Sequence, residues 1–147
     1  MTISPSGVVR IKGYEGCRLT IYKDEAGLDT IGVGHLVLPG EDFSAGITTD
    51  RALELLTDDL SDADTIVNDA IKVVITQDQY DSLVSLCFNI GARAFRRSSV
   101  LAAVNSQLDR ATIRERLCRW NRVTVAGVKQ VSPRLDKRRR DEALAWA

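Results

Sequence analysis

Apolar positions along the chain change their period twice. From Ser4 to Glu15 the inward candidates are Val8 and Ile11, behind a Ser4-Pro5 pair in which serine suits a cap and proline a first helical position. A short helix is expected there, ending near Glu15-Gly16. From Cys17 to about Thr48 the period falls towards two. Leu19, Ile21, Thr30, Ile31 and Val33 alternate with polar residues or glycine, and Gly27, Gly32, Gly34, Pro39, Gly40 and Gly46 punctuate the stretch. That pattern predicts a small antiparallel sheet with tight turns.

Beyond Thr49-Asp50 a spacing of three and four takes over. One helix is expected to face inward with Leu53, Leu56 and Leu60, and a second stretch with Ile66, Val67, Ala70, Ile71 and Val74. Thr76-Gln77-Asp78-Gln79 reads as a capping box, followed by the apolar face Tyr80, Leu83, Val84, Cys87 and Ile90, with Gly91 as the stop. Ser98 or Ser99 opens a short helix through Val104, Thr112 to Trp120 forms another, and Ser132-Pro133 caps a last one running to the end. Trp120 and Trp146 are expected in the core beside Leu117 and Leu144. The class is α+β, with a small β-lobe inserted early and a larger helical lobe. One domain spans residues 1–147, the β-lobe covering about 15–60 and the helical lobe 1–14 plus 61–147.

Composition adds bounds to this picture. The 147 residues suffice for one buried core, and 44% hydrophobic with 27% charged residues is ordinary for a globular protein. No run of eighteen apolar residues is present, and residues 1–12 lack the pattern of a signal peptide, so the chain is expected in a cytoplasm. Cys17, Cys87 and Cys118 fit neither a disulfide framework nor a zinc site, and with a single histidine no metal is expected. Net charge is zero but sorted. Residues 41–69 carry nine acids against Arg51, whereas residues 93–140 carry fourteen Lys or Arg against Asp109, Glu115 and Asp136. Two solvated faces explain this, as does a basic part that meets a polyanion.

Candidate chemistry concentrates between Glu15 and His35. Glu15 falls at a helix end, Asp24 beside a turn nine residues on, and Thr30 opens the strand Thr30-Ile31-Gly32-Val33-Gly34. Two carboxyls facing each other across a cleft are what glycosidic cleavage needs, one protonated to assist the leaving oxygen and one ionised. Glycines at 32 and 34 leave room for a bulky substrate. Surface acids around a hairpin would give the same pattern.

The block from Glu15 to His35 resembles the signature of the phage-type (T4-like) lysozyme, or endolysin, family, in which a Glu, an Asp nine residues on and a Thr six further form the catalytic trio. Gly16, Leu19, Tyr22, Lys23, Gly27, Ile31, Gly32, Gly34 and His35 match as well. Gln79 to Gly91 is similar to the family's buried central helix with its Phe-Asn-x-Gly ending. Phe95, Ser98 to Leu101, Asn105, Arg119-Trp120 and Arg138 to Glu142 extend the likeness over nearly the whole chain, closest to lambdoid-phage lysozymes.

The resemblance implies a lysozyme-like fold with a cleft between the lobes. It also implies single-displacement hydrolysis of the β-1,4 bond between N-acetylmuramic acid and N-acetylglucosamine in peptidoglycan, leading to host lysis. Glu15 would be the acid, partly desolvated with a raised pKa. Asp24, solvated and ionised, would hold the attacking water with Thr30, the carboxyls standing about 6.5–9.5 Å apart. Phe88 and Asn89 would border the cleft floor, for which plain core is the alternative reading of Phe88. His35 would form a structural ion pair with Asp59, ahead of Asp58 and Asp62. No cofactor, nucleic acid or stable membrane insertion is implied. The expected protein is a monomer released by a holin to reach the periplasm. Arg138-Arg139-Arg140 is expected on the solvated side of the last helix, one of the three pairing to a cleft acid. The segment 122–133 departs from the family pattern, which leaves its path open. A lytic transglycosylase and a wall-binding module with a vestigial cleft are the competing readings; retention of Asp24 and Thr30 argues for hydrolysis.

Overall fold

The computed structural model describes residues 1–147. Helix α1 spans Pro5–Glu15. Ser4 Oγ accepts from Gly7 N at 3.1 Å, Pro5 occupies the first turn, and Gly16 turns the chain out with φ 67°. A three-stranded antiparallel sheet follows, β1 (Arg18–Lys23), β2 (Asp29–Gly32) and β3 (His35–Leu36), in that order. Tyr22 lies opposite Thr30 and Lys23 opposite Asp29, with a bulge between Arg18 and Tyr22. Strand β2 is the inner one, burying Thr30 and Ile31, whereas Leu19 and Ile21 of β1 stay exposed.

Helix α2 (Thr49–Ala70) is continuous where two stretches were expected, because no glycine or proline interrupts Ser61-Asp62-Ala63-Asp64. Its buried stripe is Ala52, Leu55, Leu56, Leu60, Ala63, Val67 and Ala70. Leu53 lies off that stripe and is 38% exposed; Val74, beyond the helix end, is fully exposed. Helix α3 (Gln77–Ile90) opens with the complete capping box and is stopped by Gly91. Tyr80, Leu83, Val84, Leu86 and Cys87 place it at the centre of the core. The buried Asp81 carboxylate receives Ser4 N at 3.0 Å, Gln77 Nε2 at 2.8 Å and Arg10 Nη2 at 3.2 Å, which fastens α1 to α3.

Helices α4 (Ala92–Arg96), α5 (Ser99–Asn105, capped by Ser98) and α6 (Arg110–Cys118, capped by Asp109) complete the central part. The first of these was not expected; five residues carry no readable period. Nor was the hairpin β4 (Arg122–Val125) and β5 (Val128–Val131), which settles the path of 122–133. Ala126 and Gly127 turn it with φ 49° and 79°, the left-handed pair that a two-residue hairpin turn requires. Helix α7 (Pro133–Ala143) starts at the Ser132 cap and passes into a single 3-10 turn, Leu144–Trp146. Trp146 is buried as expected, but Leu144, which opens the 3-10 turn, is exposed, and Trp120, two residues beyond the end of α6, is only half-buried.

Candidate active site

Glu15 is the last residue of α1, and the turn at Gly16 leaves its side chain 11% exposed at the wall of a cleft of about 510 Å³. The same cleft is lined by Asp24, Thr30, Phe88 and Asn89, so the five residues singled out for catalysis and substrate share one cavity. Guanidiniums stand against the Glu15 carboxyl. Arg138 Nη1 donates to Glu15 Oε1, and Arg134 Nη1 lies 3.9 Å from Oε2. Gly34, at φ 68°, passes so close that a Cβ there would meet Glu15 Oε2 at 2.8 Å.

Asp24 sits in the β1–β2 turn. Its Oδ1 accepts from the amides of Ala26 and Leu28, both at 2.9 Å, which fixes the carboxylate plane and leaves Oδ2 without a protein partner. Thr30 Oγ1 donates to Leu28 O at 3.1 Å, so its hydroxyl hydrogen is committed and its lone pairs remain open. Asn89 Oδ1 accepts from Arg139 Nη2, which leaves the Nδ2 end as the free donor.

His35 is buried between two carboxylates: Nδ1 is 2.8 Å from Asp59 Oδ2 and Nε2 is 2.9 Å from Glu41 Oε2. Glu41 was not anticipated, since it comes from the irregular segment after β3. Burial alone would push the imidazolium down, but hydrogen bonds and charge from Glu41 and Asp59 outweigh it and the net shift is upward. Burial holds the Asp59 carboxyl above its ordinary value despite the imidazolium. Asp58 and Asp62 make no bond to the ring.

The arginine triplet corrects the expectation of a solvated face. Arg138 and Arg139 are 1% and 0% exposed, and only Arg140 faces solvent, paired with Asp136 at 2.8 Å. Glu142 bridges both buried cations: Oε1 accepts from Arg138 Nε at 3.2 Å and Oε2 from Arg139 Nη1. Ser85 Oγ donates to Glu142 Oε1 at 2.6 Å, and Arg138 Nη2 donates to Ser85 O at 3.1 Å. The Arg138 guanidinium also lies 4.9 Å from the centre of the Tyr14 ring. Burial, then Asp141 and Glu142, pushes the Tyr14 hydroxyl up to about 12. Three buried charges with full hydrogen bonding thus lie directly behind Glu15.

The phage lysozyme family model matches residues 12–142, a span that holds every residue of the cleft trio and the arginine cluster. The chain belongs to the phage lysozyme family. As a phage lysozyme it is a glycoside hydrolase of the muramidase class. It is 39% identical to the endolysin of Salmonella phage P22 over 98% of this chain and 97% of that one. Among solved structures it is similar to the endolysin of Escherichia coli O157:H7 phage FAHEc1 (TM-score 0.87, 37% identity, 99% and 93% of the two chains). The muramidase domain of SpmX from Asticaccaulis excentricus superposes with TM-score 0.85 at 34% identity, covering 99% and 97%.

One contact beside the site had no readable signal. Glu25, next to Asp24, accepts from Ser132 Oγ at 3.0 Å and lies 3.4 Å from Arg134 Nη2, tying the β1–β2 turn to the start of α7. Ser132 was read as a helix cap, which it also is, donating nothing to that role because it accepts from Leu135 N.

Proposed function

We propose that this phage lysozyme hydrolyses the β-1,4 bond between N-acetylmuramic acid and N-acetylglucosamine in peptidoglycan by single displacement, as an endolysin that lyses its host. The observation that carries the reading is the free acceptor pair Asp24 Oδ2 and Thr30 Oγ1 in the cleft that also holds Glu15. A water between them donates one hydrogen to each, which leaves its lone pair free to attack the anomeric carbon as Asp24 removes a proton. Glu15 supplies the acid. Its Oε1 is engaged by a guanidinium, which has no acceptor, so the proton to be delivered resides on Oε2, the oxygen beside Gly34.

Phe88 packs under the sugar, and Asn89 Nδ2 donates to an acceptor such as an acetamido oxygen. The His35–Asp59 pair is structural in this reading. The glycan chain of the substrate lies between a β-lobe of about residues 15–60 and the helical remainder. The protein acts as a monomer in the periplasm after a holin opens the membrane, so expression of the chain alone should leave cells intact until the membrane is permeabilised. The deciding experiment is digestion of purified peptidoglycan by wild type and Glu15→Gln, with mass spectrometry of the products. Reducing-end muropeptides that vanish in the variant are expected. Anhydro products would instead mean a transglycosylase and remove the roles given to Asp24 and Thr30.

A further inference from the structure

Tyr14 and Glu15 close α1 as neighbours, and both reach Arg138. Consecutive helical residues leave the axis about 100° apart, so the two meet one guanidinium from different directions. Glu15 takes Nη1, Glu142 takes Nε, and Ser85 takes Nη2 through its carbonyl at 3.1 Å and its hydroxyl at 3.2 Å. Every nitrogen of the cation is thus bonded. What remains is its π surface, and there the guanidinium carbon stands 4.9 Å from the centre of the Tyr14 ring. No hydrogen bond to the protein holds the Tyr14 hydroxyl, so the ring is the part of this side chain that the fold uses. Behind Arg138 lies a second cavity, of about 590 Å³, with Ser85, Asp141 and Glu142 in its wall. Tyr14 is the one residue that lines both this rear cavity and the catalytic cleft. Its ring is a partition between two wet spaces, and Arg138 beside it is only 1% exposed.

An aromatic face attracts a cation more strongly once water is removed from between them. We infer that Tyr14 is a positioning residue for the reaction: its ring holds and shields the Arg138 guanidinium, and so keeps Nη1 on Glu15 Oε1 and the transferable proton on Oε2. The inference rests on the reading of Glu15 as the acid. Without the ring, water from the rear cavity reaches the guanidinium and competes with Glu15 as an acceptor for Nη1. The carboxyl then loses its fixed plane. Its proton is shared between two oxygens, of which only Oε2 is placed to deliver it, and an acid misplaced in this way slows the chemical step without weakening the bound glycan.

The test grades the ring rather than only deleting it. Tyr14→Phe keeps the contact and should hold kcat on peptidoglycan within about twofold of wild type. Phenylalanines carrying one, two and three ring fluorines at position 14 keep the shape while weakening the negative face. Along that series kcat should fall stepwise to roughly a tenth of the Phe value, with KM and melting temperature nearly unchanged. Tyr14→Leu should reach the same floor. A kcat indifferent to fluorination overturns the inference, as does a change confined to KM, which would place the ring against the sugar. If wild type cleaves nothing, or Glu15→Gln keeps the wild-type rate, the reading of Glu15 as the acid fails instead. The contact is then judged by NMR of the Arg138 Nη protons. Separate, ring-current-shifted lines in wild type and Tyr14→Phe that average in Tyr14→Leu support the inference; lines already averaged in wild type, or still separate in Tyr14→Leu, overturn it.

Discussion

At Gly34 the backbone is left-handed, and the space where a side chain would stand is filled by the Glu15 carboxyl. Gly34→Ala therefore meets both a conformational cost of about 1–2 kcal/mol and a collision with Oε2. We expect kcat to fall at least about tenfold through displacement of the acid, with a lower melting temperature; an alanine variant of near-normal rate would show that Oε2 is not where the proton is carried. Thr30 gives a cleaner separation of roles. Its hydroxyl hydrogen is bound to Leu28 O, so only its acceptor function reaches the cleft. Thr30→Val should lower kcat by about 10²-fold with KM nearly unchanged, because a positioned water is lost and the bound sugar is not. A change confined to KM would reassign Thr30 to substrate binding.

The segment after β3 is irregular, and His35 holds it to α2 by bonding Glu41 on one side and Asp59 on the other. Because the folded imidazolium is stabilised above its ordinary value of 6.5, its contribution to stability is complete below that pH and is lost as pH rises through the raised value. Melting temperature should accordingly decline on going from about pH 6 into the alkaline range, and His35→Gln should flatten that decline. A slope that persists in the variant would place the titration elsewhere. The hairpin β4–β5 offers a second test. Ala126 occupies a left-handed position usually given to Asn or Gly, so Ala126→Asn should raise stability by about 0.5–1 kcal/mol in denaturant unfolding. That unusual turn residue is also why the hairpin was illegible in the sequence. The flanking Val-Thr-Val alternates, but Val-Lys-Gln-Val does not, and the turn signal between them is weak. Caps, by contrast, were readable at Ser4, Thr76, Ser98 and Ser132, since each is a local bond between a side chain and an amide two or three residues on.

Across the whole molecule, the cleft trio was legible because Glu15, Asp24 and Thr30 lie within one local stretch of chain. What surrounds Glu15 was not, since Arg138 is 123 residues away in sequence and a run of three arginines reads as solvated unless an interior acid is known to await it. Glu142, four residues on, and Ser85 on the central helix supply that interior. Arg138→Leu should therefore destabilise the fold by about 3–5 kcal/mol, measured by urea unfolding, because Glu142 loses one of its two cations and Ser85 O a donor. A loss below about 1 kcal/mol would mean that the cluster relaxes without it. The same connection sets a schedule. Glu15 is made 123 residues before its buried guanidinium, so its carboxyl is set only once α7 has been made and has docked. A chain interrupted before α7 carries Glu15, Asp24 and Thr30 without the cation that holds the Glu15 carboxyl.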